Sequence, residues 1–258
     1  VECNFEKIVS IVGTRNATEY GRKICDDLIK DLQGKEILVV SGMAYGIDIH
    51  VHNLCVKYNI PTIGVLGHGL DRLYPNQHAE IANKMLENGG LLTEYLPGTN
   101  PDKENFPMRN RIVAGMCDAT IVIESKIKGG SLITADLANQ YNKDVFAYPG
   151  NVGQEFSKGC NQLILDQKAH LLLNGKAFLK WMSWDEEKKN SENVQRTIFL
   201  NLNEDEKAIA DILKESPLHI DVISSKVGIP ISKINIHLFN LEMNGVLQSL
   251  PGKIYKLI

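Results

Sequence analysis

Three segments combine glycine, hydroxyl and basic residues in an order that suits the binding of phosphate. They are residues 13–18 (GTRNAT), 41–48 (SGMAYGID) and 126–134 (KIKGGSLIT). In the first, Arg15 offers two parallel hydrogen bonds to a phosphate, and Thr18 is placed to cap the following helix. Each segment is predicted to lead into a helix, whose N-terminal N–H groups and positive partial charge favour an anion.

Each of these loops also has a purely structural interpretation. The first is then a turn with a solvated arginine, and Asp48 in the second is only a favourable charge at a helix N-terminus. The glycine spacing matches neither GxGxxG nor the Walker A loop, so dinucleotide or triphosphate binding is not indicated. A single such loop is weak evidence for function, whereas three at one sheet edge predict a groove for several phosphates.

Residues 106–111 (FPMRNR) add two arginines close to these loops. On a helix, Arg109 and Arg111 point in different directions because they are two residues apart. We expect one to face the groove and the other to brace a loop through a carboxylate. The alternative is that both are only ion-pair partners.

Other reactive residue types show no catalytic or metal-binding pattern. His50 and His52 lie two apart on a predicted helix and share no face, which argues against a metal pair. The five cysteines are scattered and never form CxxC, which argues against a zinc site and a disulfide framework. We therefore expect no metal, no cofactor, and reduced thiols in the cytoplasm.

Short apolar runs alternate with helical patterns over the first 150 residues. The runs are mostly β-branched and continuous, as in strands buried on both faces. The pattern predicts an α/β fold with a Rossmann-like, doubly wound, mostly parallel sheet. The predicted strands are 8–12, 37–40, 62–66, 91–93, 120–123 and 145–147, and the predicted helices between them are 19–32, 48–58, 79–88 and 132–141.

The rest of the chain divides into a continuation of the first domain, a linker and a compact C-terminal unit. Helical spacing continues through 162–173 and 177–181, and the polar stretch DEEKKNSEN follows. We predict a Rossmann-like domain at 1–183, a linker at 184–203 and a small winged-helix-like C-terminal domain at 204–258.

Three helices and a hairpin define this last domain. The helices are predicted at 204–214, at 220–227 and from an N-cap at Ser232 to Asn244, with Gly245 as C-cap. Strands at 246–249 and 254–257 form the hairpin, which completes a winged-helix pattern.

The charge of this domain argues against one possible function, that of a regulator that recognises a specific duplex sequence through its winged helix. Residues 204–258 contain six basic and seven acidic residues, and Lys233 is the only full positive charge on the predicted recognition helix. Duplex recognition usually depends on several phosphate contacts. We predict that this domain serves protein contact or makes no detectable DNA contact.

Bulk composition is that of an ordinary globular protein, with 43% hydrophobic and 23% charged residues in 258. A net charge of −3 gives no general support for nucleic-acid binding, so any DNA must meet a local basic patch. No membrane-length apolar stretch or leader is visible, and we expect a cytoplasmic protein without a membrane partner. Because the chain begins at Val1, we expect a fragment of a longer protein.

A series of motifs, in order along the chain, resembles the DNA-processing protein A family, also called DprA or Smf. The resemblance spans about residues 5–180, and the C-terminal segments LEMNGV and LPGKIY look like that family's small winged-helix-like domain. The matching motifs are IVGTRNATEYG (11–21), SGMAYGID (41–48), GVLGHGLDRLYP (64–75), FPMRNRIVAG (106–115), GGSLITA (129–135), VFAYPG (145–150) and GCNQLI (159–164).

The resemblance implies a function that spacing alone does not show. Members of the family bind single-stranded DNA taken up in natural transformation, help to load the RecA recombinase onto it, and form homodimers. No catalytic activity or cofactor is implied. Carried over by motif, the DNA- or phosphate-binding residues are Arg15, Ser41, Gly42, Arg109, Arg111, Gly130, Ser131 and Thr134.

Departures from the family motifs leave one enzymatic alternative. The third motif usually reads Ser-Gly-Ser but is Gly129-Gly130-Ser131 here, and the usual Gly-Ala near the domain end is replaced by Gln167-Lys168-Ala169. Nucleoside-monophosphate phosphoribohydrolases of the "lonely guy" type have a related glycine loop followed by a glutamate. Here that region offers Asp136 and no glutamate, and we expect that Asp136 does not face the site, where a general acid–base must lie.

Overall fold

The computed structural model describes residues 5–185, 202–214, 216–250 and 252–257. The chain divides into two compact units, Val1–Asp185 and Glu186–Ile258. Residues 186–201, which make up most of the predicted linker, lie outside the described residues. No helix in the described ranges is long and apolar enough to cross a membrane.

A parallel sheet forms the centre of the first unit. Its strands are β1 (Ile8–Gly13), β2 (Leu38–Ser41), β3 (Thr62–Val65), β4 (Gly89–Leu92), β5 (Ala119–Ile123), β6 (Asp144–Ala147) and β7 (His170–Leu171). They lie in the order β4-β3-β2-β1-β5-β6-β7, and all neighbouring pairs are parallel. The predicted Rossmann-like sheet is confirmed.

Helices cover both faces of this sheet. They are α1 (Glu19–Leu32), α2 (Ile47–Lys57), α3 (Ala79–Met85), α4 (Asn105–Gly115), α5 (Gly130–Gln140), α6 (Lys158–Leu165) and α7 (Gly175–Trp181). One apolar core contains side chains of α1, α2 and α7, and a second contains side chains of α4, α5 and α6. Consecutive strand residues alternate between the two cores, as Ile121 and Val122 do in β5.

This topology brings three predicted loops to one edge of the sheet. The central strand β1 has β2 on one side and β5 on the other. Because the three strands are parallel, the segments that follow them start at the same carboxyl edge. Ligands of doubly wound sheets bind at this edge, where the strand order reverses.

The second unit is a winged helix, as predicted. It consists of α8 (Glu204–Leu213), α9 (Ile220–Val227) and α10 (Ile231–Met243) with an antiparallel sheet of β8 (Leu218–His219), β10 (Ile254–Leu257) and β9 (Leu247–Leu250). An apolar core of its own includes Ile209, Ile223, Ile234 and Leu238. A capping box between Asn203 and Glu206 begins α8.

Several predicted helix limits were wrong. The helical spacing over 162–173 predicted a helix there. The helix α6 instead ends at Leu165, and the short strand β7 follows at His170–Leu171. The predicted helix at 79–88 ends at Met85. Ser232 is not an N-cap but lies inside α10, whose N-cap is Pro230, a residue whose fixed φ suits entry into a helix. Asn244 is the C-cap of α10, and Gly245 follows it with a φ of 68°.

Candidate nucleic-acid cleft

An open cleft of about 520 Å³ lies beside the carboxyl ends of the strands. Its walls come from the segments after β1, β2 and β3 and from α4. Two arginines, three aromatic rings and backbone at the end of β3 lie on its surface. The lining residues are Arg15, Met43, Ala44, Tyr45, Val65, Leu66, Gly67, His68, Tyr74, Pro75, Phe106 and Arg109.

Arg109 lies in the wall of this cleft and is only 5% exposed. Its Nη1 donates a hydrogen bond to the carbonyl oxygen of Val65, at the end of β3. Its Nε has no hydrogen-bond partner among the described residues. Burial lowers the pKa of the guanidinium, and the negative charge of Asp48 opposes that shift. Arg109 is thus a buried cation with donor capacity to spare.

Asp48 and Arg109 both approach the space that a side chain at Gly42 would occupy. A methyl group on Gly42 would lie 2.5 Å from Asp48 Oδ2 and 2.7 Å from Arg109 Nη2, so only glycine fits here. Burial raises the pKa of Asp48 to about 6, although the charge of Arg109, a hydrogen bond from the Ala44 amide and the nearby Ser41 side chain oppose the rise. Ser41 is fully buried, and its hydroxyl donates to the carbonyl oxygen of Ile11 over 2.6 Å.

Arg15 and three aromatic side chains form the outer part of the cleft. The exposed Arg15 guanidinium lies 5.9 Å from the centre of the Phe106 ring. The ring of Tyr74 is 6.0 Å from Phe106 and 50% exposed, and the ring of Tyr45 is 46% exposed. A cation beside accessible rings can contact a phosphate and a nucleobase together.

The N-terminus of α1, predicted to attract a phosphate, is already occupied by a carboxylate of this chain. Glu124 follows β5 with a φ of 55° and is buried. It accepts hydrogen bonds from the backbone N–H and the hydroxyl of Thr18, while the Thr18 hydroxyl also accepts from the Gly21 amide. Thr18 is therefore the cap that was predicted, and the Glu124 carboxylate already places a negative charge at this helix end.

The third glycine-containing loop lies at the end of β5 and does not line the cleft. Gly130 is exposed, with open space where a side chain would be, and its carbonyl oxygen faces Asn110 Nδ2 at 3.5 Å. Ser131 and Thr134 are buried, and the Ser131 hydroxyl donates to Ser125 Oγ over 2.9 Å. Of the three predicted residues of this loop, only Gly130 is accessible to a ligand.

The remaining predicted residues have structural partners. Arg111 forms an ion pair with Glu94 at the surface, on a different side of α4 from Arg109. His52 is buried between Thr62 Oγ1 and the Gly42 carbonyl oxygen, each 2.8 Å away. Asp136, the acid of the enzymatic alternative, is 3.1 Å from Lys168 Nζ and does not line the cleft.

Sequence reasoning did not select several residues that form this cleft. Phe106 and Tyr45 stand inside recognised motifs, and their aromatic character beside arginine and glycine was an available signal. Tyr74 comes six residues after His68, whose Nε2 accepts a hydrogen bond from the Tyr74 amide over 3.2 Å. No local signal marks that connection.

The sheet, the cleft at its carboxyl edge and the second unit define a Rossmann-like α/β protein that carries a winged helix. A family model for the DNA recombination-mediator protein A matches residues 1–183, and a model for the DprA winged helix domain matches residues 200–253. The chain therefore belongs to the DprA family.

Relatives and solved structures agree with this assignment. Protein Smf of Synechocystis is 32% identical over 96% of this chain and 69% of its own length, and DprA of Bacillus subtilis is 41% identical over 60% and 52%. The chain thus spans about half to two thirds of these relatives.

Two solved structures cover about two thirds of this chain. DprA of Streptococcus pneumoniae has a TM-score of 0.63 and 38% identity, covering 67% of this chain and 61% of its own. DprA of Helicobacter pylori, described as having a unique single-stranded DNA binding mode, has a TM-score of 0.65 and 29% identity, covering 71% and 83%.

Proposed function

We propose that this chain binds single-stranded DNA in the cleft at the carboxyl edge of its sheet. The observation that carries the proposal is the placement of Arg15 and Arg109 beside the accessible rings of Phe106, Tyr74 and Tyr45. Sequence-independent recognition of single strands combines cations for the backbone with aromatic faces for the bases.

The shape of the cleft favours an unpaired strand over a duplex. Its aromatic rings line an open recess, which an unstacked base can enter and a paired base cannot. Few groups on its surface are suited to reading base edges in a groove. We therefore expect weak sequence preference and tighter binding to single strands than to duplex.

The strand is proposed to leave the cleft towards the loop after β5. Lys126, Lys128 and the open backbone at Gly130 lie at the same edge of the sheet, and Lys126 Nζ is 5.0 Å from the centre of the Phe156 ring. Glu155 pairs with Lys126 over 2.8 Å at an exposed site. Such a pair contributes little, so a phosphate can displace it.

The biological setting is proposed from the family. DNA processing in natural transformation fits the DprA relatives, and the Helicobacter pylori homologue is described as binding single-stranded DNA. We further propose loading of RecA, a homodimer and a cytoplasmic location, all of which come from the family resemblance. Sedimentation at micromolar concentration tests the dimer, and a monomer alone would contradict it.

We propose that the protein is not an enzyme. The helix end at which Rossmann proteins hold a pyrophosphate is filled by Glu124, and Asp136 is paired with Lys168. Release of free base from nucleoside monophosphates is the test of the phosphoribohydrolase alternative, and clear turnover would overturn the proposal.

Fluorescence anisotropy tests the DNA proposal directly. Labelled oligothymidine and a labelled duplex of equal length are titrated with the whole chain at two salt concentrations. We expect the single strand to bind more tightly, with an affinity that falls as salt rises. Equal affinity for both forms would refute the proposal.

A further inference from the structure

Arg109 is a buried cation whose positive charge and hydrogen-bond donors are only partly matched by groups of the protein. Its partners are the neutral Val65 carbonyl, through Nη1, and the charge of Asp48, which lies close by beside Gly42. No direct ion pair joins Asp48 to Arg109 in the described part of the chain, and Arg109 Nε has no partner there. A buried charge usually requires a counter-ion, so this arrangement leaves the cleft ready for a second anion.

Asp48 stands behind the cleft rather than in it. It is buried in the first turn of α2 and does not line the cleft, although its Oδ2 and Arg109 Nη2 lie 2.5 Å and 2.7 Å from the point that a Gly42 Cβ would occupy. A ligand in the cleft therefore contacts Arg109 and not Asp48. The Asp48 carboxylate can act on the ligand only through its charge.

We propose that Asp48 is a built-in counter-ion that competes with a DNA phosphate for Arg109, so that its charge limits how tightly the cleft holds single-stranded DNA. The proposal rests on the DNA-binding function of the cleft. With Asp48 ionised, the cluster of Arg15, Arg109 and Asp48 carries one net positive charge, and with Asp48 neutral it carries two.

The direction of the linkage follows from electrostatics. A phosphate on Arg109 places a second negative charge near Asp48, which favours the protonated carboxyl and raises its pKa in the complex. Because burial has already raised the pKa of Asp48 to about 6, protonation falls in an accessible range. By linkage, affinity for DNA rises as pH falls through this range.

Other charged or titratable side chains lie near Asp48 and Arg109, and the experiment must separate their effects on DNA binding from that of Asp48. Arg109 on α4, Arg15 after β1 and Ser41 at the end of β2 face Asp48. His52 on α2 faces Arg109 and Gly42, and burial lowers its pKa to about 4, so it stays neutral over the relevant range. His68 and His78 also lie near the cleft, so the pH effect must be compared between variants.

The test compares Asp48→Asn with Glu94→Gln in the whole chain. Glu94 pairs with Arg111 at the surface, so Glu94→Gln removes one negative charge at a site outside the cleft. Affinity for labelled oligothymidine is measured by anisotropy from about pH 7.5 to about pH 5.5. For Asp48→Asn we expect about tenfold tighter binding near neutral pH, because one unit of repulsion across a few ångströms of protein is removed.

Two further readouts separate this role from a structural one. The wild type and Glu94→Gln should bind oligothymidine more tightly as pH falls. The Asp48→Asn variant should lose the part of this pH dependence that comes from protonation of Asp48. Free Asp48→Asn should gain more thermal stability from added oligothymidine than the wild type gains. Weaker or unchanged binding by a folded Asp48→Asn protein, with the wild-type pH profile, would overturn the proposal.

If Asp48→Asn fails to fold, the wild type provides the measurement. The ¹³C resonance of the Asp48 carboxyl is titrated with and without oligothymidine, and its pKa should rise when DNA is bound. A pKa that DNA leaves unchanged would overturn the proposal. If the wild type binds no single-stranded DNA at any pH, the proposed function fails instead.

Discussion

Replacing Arg15 gives the sharpest test of the cleft as a phosphate site, because this side chain is exposed and makes no ion pair among the described residues. Arg15→Lys keeps the charge but loses the planar pair of donors. Losing one charge-assisted hydrogen bond of about 1.5 kcal/mol weakens DNA binding roughly tenfold. Arg15→Glu loses both bonds and adds repulsion, and we expect a loss of about a hundredfold or more.

The stability of the free protein should change little in these variants. The visible contact of Arg15 is with the Phe106 ring at 5.9 Å, and a cation–π contact at an exposed site contributes about 0.5–1 kcal/mol. In a domain of this size such a loss lowers the melting temperature by about 2–4 °C or less. A large fall in melting temperature would mean that Arg15 is structural.

The assay is an anisotropy titration with oligothymidine over a series of salt concentrations, run beside thermal melting. Losing the charged contact with a phosphate, as Arg15→Glu does, should flatten the plot of log affinity against log salt by roughly 0.7, whereas Arg15→Lys keeps the charge and should leave the slope unchanged. Lys30→Glu is the matched control, since Lys30 is an exposed cation in the last turn of α1, away from the cleft. An unchanged salt slope in a destabilised Arg15→Glu protein would refute the assignment.

Further substitutions test other residues of the two units. Phe106→Ala should weaken single-strand binding by about 1–3 kcal/mol while Phe106→Tyr retains it, and equal affinity of the two in anisotropy would exclude stacking. Gly42→Ala should lower both the melting temperature and the affinity, because its methyl group would meet Asp48 and Arg109, whereas Gly90→Ala has open space and should change neither. Glu124→Gln should lower the melting temperature by weakening the cap of α1 but leave DNA affinity near wild type, and a marked loss of affinity would contradict that separation. Lys233→Glu in the whole chain should leave duplex binding unchanged in a gel shift, since we expect no DNA contact from the winged helix.

The architecture of the first unit was predictable because its signals are local. A strand buried on both faces must be continuously apolar, as β5 is apart from Thr120, and this pattern stands in the sequence itself. The limits of α1 follow from the Thr18 cap and the amphipathic spacing. Where apolar residues continue at helical spacing past Leu165, the pattern does not distinguish helix from edge strand, and that prediction failed.

The cleft was only partly predictable. Arg15 and Arg109 were selected from their loops and line it, whereas Ser41, Ser131 and Thr134 were selected in the same way and are buried. Residue type and motif indicate that a loop approaches the carboxyl edge. They do not indicate which side chains turn towards the solvent.

The sequence by itself determined the order of elements, the winged helix and the edge at which a ligand would bind. Only the tertiary structure placed Asp48 and Arg109 together beside Gly42, and Glu124 at the start of α1. These partners are separated by about 60 and 100 residues in the chain, and they approach because the fold brings helix α4 and the segments after β1, β2 and β5 to one edge of the sheet. Charge compensation depends on distance and burial in the folded protein, and neither quantity is written in local sequence.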